Sequence, residues 1–599
     1  MKPLRYLNKY FYRYRGRIAL GILFVALSNV FYILQPILIR KALDEVANKI
    51  NAYRALKDIA QQVTFYDEVV RNVLLFCLLV LGVMLMRGLF LFLMRQTIIV
   101  ISRHIEYDMK NDIYDHYQKL SASFYSVNNT GDLMNRISED VSRVRMYVGP
   151  ALMYIVNMVV MFVFTIYSML HSDVFLTLVV LAPLPILILI AYYVHTIINE
   201  KSELVQEKLS DLSTFVQESF SGIRILKAFA RENQFSKNFA KQSDAYRKES
   251  LDLARINAYF FPSLILLIGL SSVLCVYVGG LEVINKKITI GTIAEFIMYI
   301  NMLTFPVASL GWVISLIQRA AASQQRINEF LFTKPEIVSN EIKSTEIKGN
   351  IEFRNVSFLF HNSGIRALNQ ISFKVNAGKS VAFIGKTGCG KSTIANLLLR
   401  IYDVTQGEIL IDGIDIRSIN LNSLRNQVGY VPQEVFLFSD SIAANISFGL
   451  KDEKLSEGLR KRVEDAVRDA AIYDNIMEFE KGFETLLGER GINLSGGQKQ
   501  RVSIARAIIK EPKILIFDDV LSAVDTHTEE QILNNLRRIM KDRTTIIISH
   551  RVSSVKNADQ IIVMDDGNII EQGTHAELIL SKGFYFDLYE KQLVEEEVN

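Results

Sequence analysis

The sequence predicts a multidomain chain in two parts: an all-α membrane domain of six transmembrane helices with long cytoplasmic helical extensions, then an α/β domain built round a phosphate-binding loop. Three observations carry this. Six predominantly apolar runs, each beyond about 18 residues, lie in the first 320 positions, and a bilayer-spanning helix needs about 20. Two connections of about fifty residues between those runs are rich in Lys, Arg, Glu, Asp, Gln and Leu and poor in glycine and proline, which is a helix-forming mixture. From Asn350 onward, strand-like apolar runs alternate with helical segments, the pattern of an α/β core.

Composition agrees with this division. At 599 residues the chain exceeds one compact core, and 22% charged residues alongside a positive mean hydropathy fit a membrane part joined to a soluble part. The net charge of +4 is small for such a length, so nothing global points to nucleic acid. Cys77, Cys275 and Cys389 are far apart, form no metal or disulfide pattern, and suit a reducing cytoplasm.

Lys2, Arg5, Lys9, Arg13, Arg15 and Arg17 precede the first span without an acidic residue among them, which predicts a cytoplasmic amino terminus. The spans fall near 18–39, 72–94, 146–172, 174–199, 256–281 and 296–318. Six crossings return the carboxyl half to the cytoplasm, giving a multi-pass protein of the cytoplasmic membrane. The first run is longer than a signal-peptide core and lacks a small-residue cleavage pattern, so it is expected to be retained. Arg87, in the second span, and Glu295, at the outer start of the sixth, are the charges nearest the membrane interior. Charges so placed usually face a cavity. Arg87 has three readings: a partner for an anionic headgroup or drug, a snorkelling side chain, or a partner for a neighbouring helix. Met84, Met86, Phe296, Met298, Tyr299 and Met302 read as lipid-facing or packing residues, with an adaptable apolar pocket as the alternative.

The connections 95–145 and 200–255, each split into two helices of about 25 residues, would project roughly 35 Å below the membrane at 1.5 Å per residue. Their expected tips are Ala122 to Tyr125 and Ser221 to Arg224, where short turns would touch the soluble domain. The loop 40–71 is external and mixed in charge. After Arg319 the helical pattern runs to Phe332, and 333–349, with Pro335 and several Lys and Glu residues, reads as a polar linker. The expected division is therefore a membrane domain over 1–332, a linker over 333–349 and a nucleotide-binding domain over 350–599.

In the last of these, the apolar Ser380 to Ile384 leads into Gly385-Lys386-Thr387-Gly388-Cys389-Gly390-Lys391-Ser392-Thr393, and a helical pattern comes after it. Glycines let backbone N–H groups turn toward phosphates, Lys391 can reach the β and γ phosphates, and the Ser392 hydroxyl can ligate Mg²⁺. A nucleoside triphosphate is the ligand this pattern implies. Because Cys389 sits in that loop, modification of its thiol is expected to block nucleotide binding. Downstream lie Leu494-Ser495-Gly496-Gly497-Gln498 at a helix start suited to an anion, then Ile514 to Phe517 ending in Asp518-Asp519, then Ser549-His550.

Phosphate loop, Gln433, LSGGQ, acidic strand end, Ser522-Ala523-Val524-Asp525 and His550, in that order, resemble the ATP-binding cassette family. The resemblance implies that Phe360 stacks on adenine where the family usually has tyrosine, with Phe358 as the alternative platform or both as core residues. It implies that Gln433 touches Mg²⁺ or water, that Asp518 holds Mg²⁺ with Ser392, and that His550 contacts the γ-phosphate and the attacking water. By the same resemblance, Leu494 to Gln498 act across a head-to-tail dimer that sandwiches two ATP molecules, with Asp525 in the interface. Thr130 to Ile137 and Gly222 to Phe229 look like the coupling segments of exporters, and Glu489-Arg490-Gly491 like the segment that senses them. The fused design favours export over import.

One residue departs from the family. A Glu normally comes directly after the Mg²⁺ aspartate and polarises the attacking water; here it is Asp519, which withdraws the carboxylate by roughly an ångström, and misplacement of that size can cost about a hundredfold in rate. Asp519, His550, Gln433 and Lys391 form the expected catalytic set, with slow hydrolysis at this chain's own site. Such shortening favours a heterodimer with a second half-transporter over a homodimer whose site tolerates Asp. The expected function is ATP-driven export of a lipid or an amphipathic small molecule by alternating access. The alternatives are a homodimeric lipid flippase and an ATP-gated regulatory or channel subunit that does not pump.

Overall fold

The computed structural model describes residues 2–55, 59–339, 345–450, 457–488, 491–520, 535 and 537–598. It divides into two compact units, one of Met1–Gln118 with Gly131–Thr333, the other of Lys119–Thr130 with Lys334–Asn599.

Six long helices build the first unit: α1 (Arg15–Ala55), α2 (Ile59–Lys119), then, after a tip helix α3 (Ala122–Val127), α4 (Thr130–Ser172) and α5 (Val174–Ser221); a second tip helix, α6 (Ile223–Ala228), precedes α7 (Glu232–Ile284) and α8 (Ile290–Leu331). Each is long and apolar enough to cross a membrane. The expected spans and extensions are therefore single continuous helices: α2, with 61 residues, is about 90 Å long at 1.5 Å per residue, three times a hydrocarbon core. Breaks have local causes. Wide π turns interrupt α4 at Arg136–Asp140 and at Tyr147–Ala151, the latter around Pro150, which has no N–H to give. One residue, Asp173, separates α4 from α5; its Oδ1 accepts from Leu176 N at 2.7 Å, the cap that lets a new helix start at once.

The packing reading of the aromatic and methionine residues is the one the helices realise. Phe296, Tyr299 and Met302 are buried with Met161, Met169, Leu176 and Leu303 in one cluster of α4, α5 and α8, whereas Met86 is exposed on α2. Arg87 lies with its guanidinium 3.3 Å from the centre of the Tyr32 ring of α1, so of its three readings the neighbouring-helix partner is the contact formed. Glu295 is fully buried among side-chain donors. The amino-terminal turns Lys2–Leu7 and Asn8–Arg13 bury Leu4, Leu7 and Tyr10 and are tied to α2 by Lys9 with Asp112 (2.6 Å) and Arg13 with Asp108 (2.9 Å).

The second unit holds two sheets. A four-stranded antiparallel sheet runs β2 (Ile365–Val375), β1 (Ile351–Phe360), β4 (Gln406–Ile411), β5 (Ile414–Asp415). A six-stranded sheet runs β10 (Asn568–Gly573), β9 (Gln560–Asp565), β3 (Ser380–Gly385), β8 (Thr544–Ser549), β7 (Ile514–Asp518), β6 (Val428–Val431), parallel except at β10. Every residue of β3 and β7 is buried, as strands covered on both faces must be, which is why they read as unbroken apolar runs. The tip α3 belongs to this unit, through Ser126 with Asn362 (3.4 Å) and Ser123 with Glu336. Part of the polar stretch 333–349 is fixed here too. Thr345 N donates to Ser423, Ile347 N to Gln427, and Lys348, Gly349 and Asn350 N to Asp412, while the Ile347 side chain enters the core.

Candidate nucleotide site

β3 ends at Gly385 and α9 (Lys391–Leu398) begins just beyond Gly390, so the loop 386–390 lies at the carboxyl edge of the parallel strands, where an α/β sheet offers a ligand crevice. Two glycines are forced by crowding. A Cβ at Gly390, whose φ is +98°, would meet the Ala367 carbonyl at 2.2 Å, and one at Gly385 would meet the Met564 carbonyl at 2.1 Å. Lys391 curls over the loop and donates through Nζ to the carbonyls of Gly385 (2.8 Å) and Lys386 (2.7 Å). Its ammonium thus hangs at the mouth of the loop, where phosphate oxygens would replace those carbonyls as acceptors. Lys386 itself is braced by Asp565 at 3.6 Å and lies 5.5 Å from the ring centre of Phe584.

The Cys389 thiol faces inward. It is 5% exposed and 3.6 Å from Lys391 Nζ, so this residue offers a ligand its backbone and not its sulfur, and a bulky thiol reagent reaches it only when the loop opens.

β7 delivers two adjacent carboxylates in different states. Asp518 is buried and accepts from Ser392 Oγ at 3.0 Å. Burial, then the neighbouring Asp519 charge, push its carboxyl above the ordinary range, against the pull of Ser392 and Lys391. A hydroxyl and a carboxylate side by side, the latter short of positive charge, form a hard oxygen donor set that suits Mg²⁺. Bound there, the ion would neutralise phosphate charge. Asp519 sits in the left-handed region at φ +52°, with its N–H bonded to the Ile548 carbonyl at 2.8 Å. Its Oδ1 is 2.8 Å from His550 Nδ1, and its Oδ2 accepts from Gln433 Nε2 at 3.4 Å. Three residues expected to share chemistry are thus brought together. A carboxylate oxygen can only accept, so this contact calls for a proton on His550 Nδ1.

Ser495 caps α10 (Gly496–Ile508): its Oγ accepts from Gln498 N at 3.3 Å, and Gln498 Oε1 accepts from Ser495 N at 2.9 Å. Leu494 and Gly497 are buried, while Ser495 and Gly496 are exposed. No hydrogen bond among the described residues joins 494–498 to the phosphate loop of the same chain. Phe358 is buried in the core and drops out as an adenine platform. Phe360 is half-buried, edge-on to Phe358 (4.8 Å) and Tyr402 (5.7 Å). Asp525 with Ser522 to Val524, and Glu489 with Arg490, lie outside the described residues.

Sequence reading missed the supports of the site. Gln592, near the carboxyl end, donates to the His550 carbonyl at 2.8 Å and accepts from Val552 N at 2.7 Å, clamping the histidine turn from both sides. Arg506 of α10 donates to the carbonyls of Asn445 (2.8 Å) and Phe436 (2.9 Å), and burial pushes its guanidinium down to about 10. It links the helix after the signature to the segment after Gln433. Only the order of the short motifs was visible in the sequence; these partners are separated from their targets by 42 and 61 positions.

The chain is similar to known proteins along nearly its whole length. Residues 18–307 match the family described as ABC transporter transmembrane region, and 368–522 that described as ABC transporter. The chain is 33% identical to an uncharacterized ABC transporter ATP-binding protein, YknU, of Bacillus subtilis, over 99% of this chain and 98% of that protein. It is 36% identical to the ATP-dependent lipid A-core flippase of Syntrophus aciditrophicus, over 83% of this chain and 82% of the other. The structure of a bacterial Atm1-family ABC exporter with ATP bound matches it with a TM-score of 0.77 at 27% identity, over 96% of this chain and 98% of that one. Six membrane-spanning helices, an ATP-binding α/β domain with its motifs in order, and these likenesses lead to one conclusion: the chain belongs to the ATP-binding cassette exporters, as a half-transporter that couples ATP hydrolysis to transport.

Proposed function

We propose that this half-transporter exports a lipid or an amphipathic small molecule across the cytoplasmic membrane by alternating access, as one half of a heterodimer in which its own ATPase site is the slow one. The observation that carries the reading is Asp519. Its Oδ1 meets His550 and its Oδ2 accepts from Gln433, so the carboxylate stands among the groups expected to act on the attacking water. On a side chain one methylene short of Glu, it stands back from the phosphate by roughly an ångström. Ser392 and Asp518 would hold Mg²⁺, with Gln433 at its edge. Lys391 and the backbone from Gly385 to Thr393 would bind the phosphates, and Phe360 would stack on the base.

Two features support a dimer. The signature at Leu494 to Gln498 is built and capped, yet has no bond to its own chain's phosphate loop among the described residues. The tip α6 and its flanks expose Phe220, Ile225 and Phe229 to about 70%, large apolar groups on an otherwise polar extension and suited to a partner's surface. A lipid cargo is supported by the likeness to a lipid A-core flippase.

A homodimer is the second reading, favoured by the complete Asp519–His550–Gln433 arrangement. The test is to purify the chain alone and with a genetically adjacent half-transporter and to compare ATPase rates. Slow turnover alone and fast turnover in the mixed dimer is the expected result. Brisk turnover alone, abolished by Asp519→Asn, would overturn the weak-site heterodimer. Cargo that does not move across sealed vesicles despite ATP turnover would overturn the pump.

A further inference from the structure

The last helix, α11 (Phe584–Val598), is pinned at its start beside the phosphate loop. Glu571 of β10 accepts there from two N–H groups that a helix cannot satisfy by itself, Oε1 from Phe584 N at 2.5 Å and Oε2 from Tyr585 N at 3.1 Å. Tyr585 is fully buried with Ala382 and Ile384 of β3, the strand that feeds the phosphate loop, and with Val552 and Val555. Its hydroxyl is 2.8 Å from His575 Nδ1, and the neighbouring Phe584 ring centre is 5.5 Å from Lys386 Nζ. Gln592 follows a little over two turns later, about 12 Å along the axis at 1.5 Å per residue.

β8 ends at Ser549, so the ladder holds the chain up to that residue, and His550 and the helical turn Val552–Val555 lie beyond it. Gln592 takes over the holding. Its Oε1 accepts from Val552 N at 2.7 Å, and its Nε2 donates to the His550 carbonyl at 2.8 Å. An uncharged amide offers acceptor and donor together, which a carboxylate or an ammonium of similar length cannot. The imidazole is met separately by Asp519, Oδ1 to Nδ1 at 2.8 Å. Ring and main chain of the histidine are thus fixed by different elements.

We propose that Gln592 is a positioning residue for ATP hydrolysis, acting through the main chain of His550, with α11 as the strut that refers this histidine to the phosphate loop. The inference rests on the reading in which His550 acts at the γ-phosphate. Both bonds of the amide go to main-chain atoms, so Gln592 places the histidine and does no chemistry itself. A reacting group displaced by roughly an ångström can lose about a hundredfold in rate, and a turn that keeps its Asp519 contact moves by less. The phosphate loop and Phe360 are untouched by a change at position 592. The loss therefore falls on the chemical step.

The test reads this chain's own site in whichever dimer it forms. In nanodiscs of phosphatidylcholine and phosphatidylglycerol, vanadate traps the azido-ADP formed from azido-ATP, and photocrosslinking assigns the trapped nucleotide to this chain. Gln592→Ala and Gln592→Met, the second keeping the bulk of the side chain, should each slow trapping at saturation about fivefold and leave the half-saturating nucleotide concentration within about twofold. On a His550→Ala background the same substitutions should change nothing more, because nothing is left to position. If that background traps too little to compare, the split between rate and half-saturation decides alone. An equal loss on both backgrounds, a raised half-saturating concentration in place of slower trapping, or normal trapping by both variants overturns the proposal and leaves the role of His550 standing. Trapping by His550→Ala as fast as by wild type, or no trapping on the wild-type chain, would instead remove the reading of His550 and the inference with it.

Discussion

Asp518 and Glu295 are both buried carboxylates, and the protein treats them in opposite ways. Glu295 is surrounded by donors of its own chain: an arginine, a serine and a tyrosine. Asp518 receives one hydroxyl bond, stands beside a second acid, and is left with its affinity for protons raised. The first carboxylate is finished by the fold, and its removal disturbs structure. The second lacks such partners, and on the proposed reading, in which it holds a cation, its removal disturbs chemistry.

Substitution separates the two. Asp518→Asn is expected to lower ATPase activity by roughly a thousandfold, about 4 kcal/mol in barrier, while thermal melting without nucleotide stays level or rises; a lower melting point would show that Asp518 is structural after all. Glu295→Ala should do the reverse. It strands Arg40, and because that arginine is partly exposed the loss of stability is about 2–3 kcal/mol, below the range for a fully buried pair; unfolding in detergent measures it, and an unchanged midpoint would remove the contrast. Asp519→Glu sharpens the comparison on the chemical side by restoring reach toward water, and turnover should rise about tenfold. Gln592→Ala loosens the turn that carries His550 and should slow turnover by roughly fivefold, near 1 kcal/mol, with little change in the KM for ATP. The smallest effect is in pH. A carboxyl whose folded affinity for protons is raised adds stability below the ordinary carboxylate range, and that stability is lost as pH rises through the raised value. The difference in melting temperature between wild type and Asp518→Asn should therefore shift against wild type as pH rises from acid toward neutral, and Mg²⁺ with ATP should reverse it.

What could be read from the chain was whatever repeats locally. Twenty apolar residues in a row leave no soluble alternative, so the spans were visible. The phosphate loop and the signature are contiguous, so their glycines and caps were visible too. Pairing across long separations was not. Arg40 and Glu295 stand 255 positions apart, and each alone reads only as a charge near a membrane edge. Phe360 was preferred to Phe358 by resemblance alone, because residues two apart on a strand share a face; packing, with a register shift between Phe358 and Leu359, buries the first and leaves the second half-open. The stretch 345–349 read as linker because its composition is polar, although those backbone donors are consumed by Asp412, Ser423 and Gln427.

The helices also differ in stiffness. α2 runs through all of its residues to Lys119 without a proline or a π turn, whereas α4 carries two wide turns and α5 is interrupted at Ala182, before Pro183. A displacement at the Lys119 end of α2 is therefore relayed as by a rod, with little lost on the way. The wide turns of α4 can take up part of the same displacement, so a pillar that tilts stands beside one that can bend.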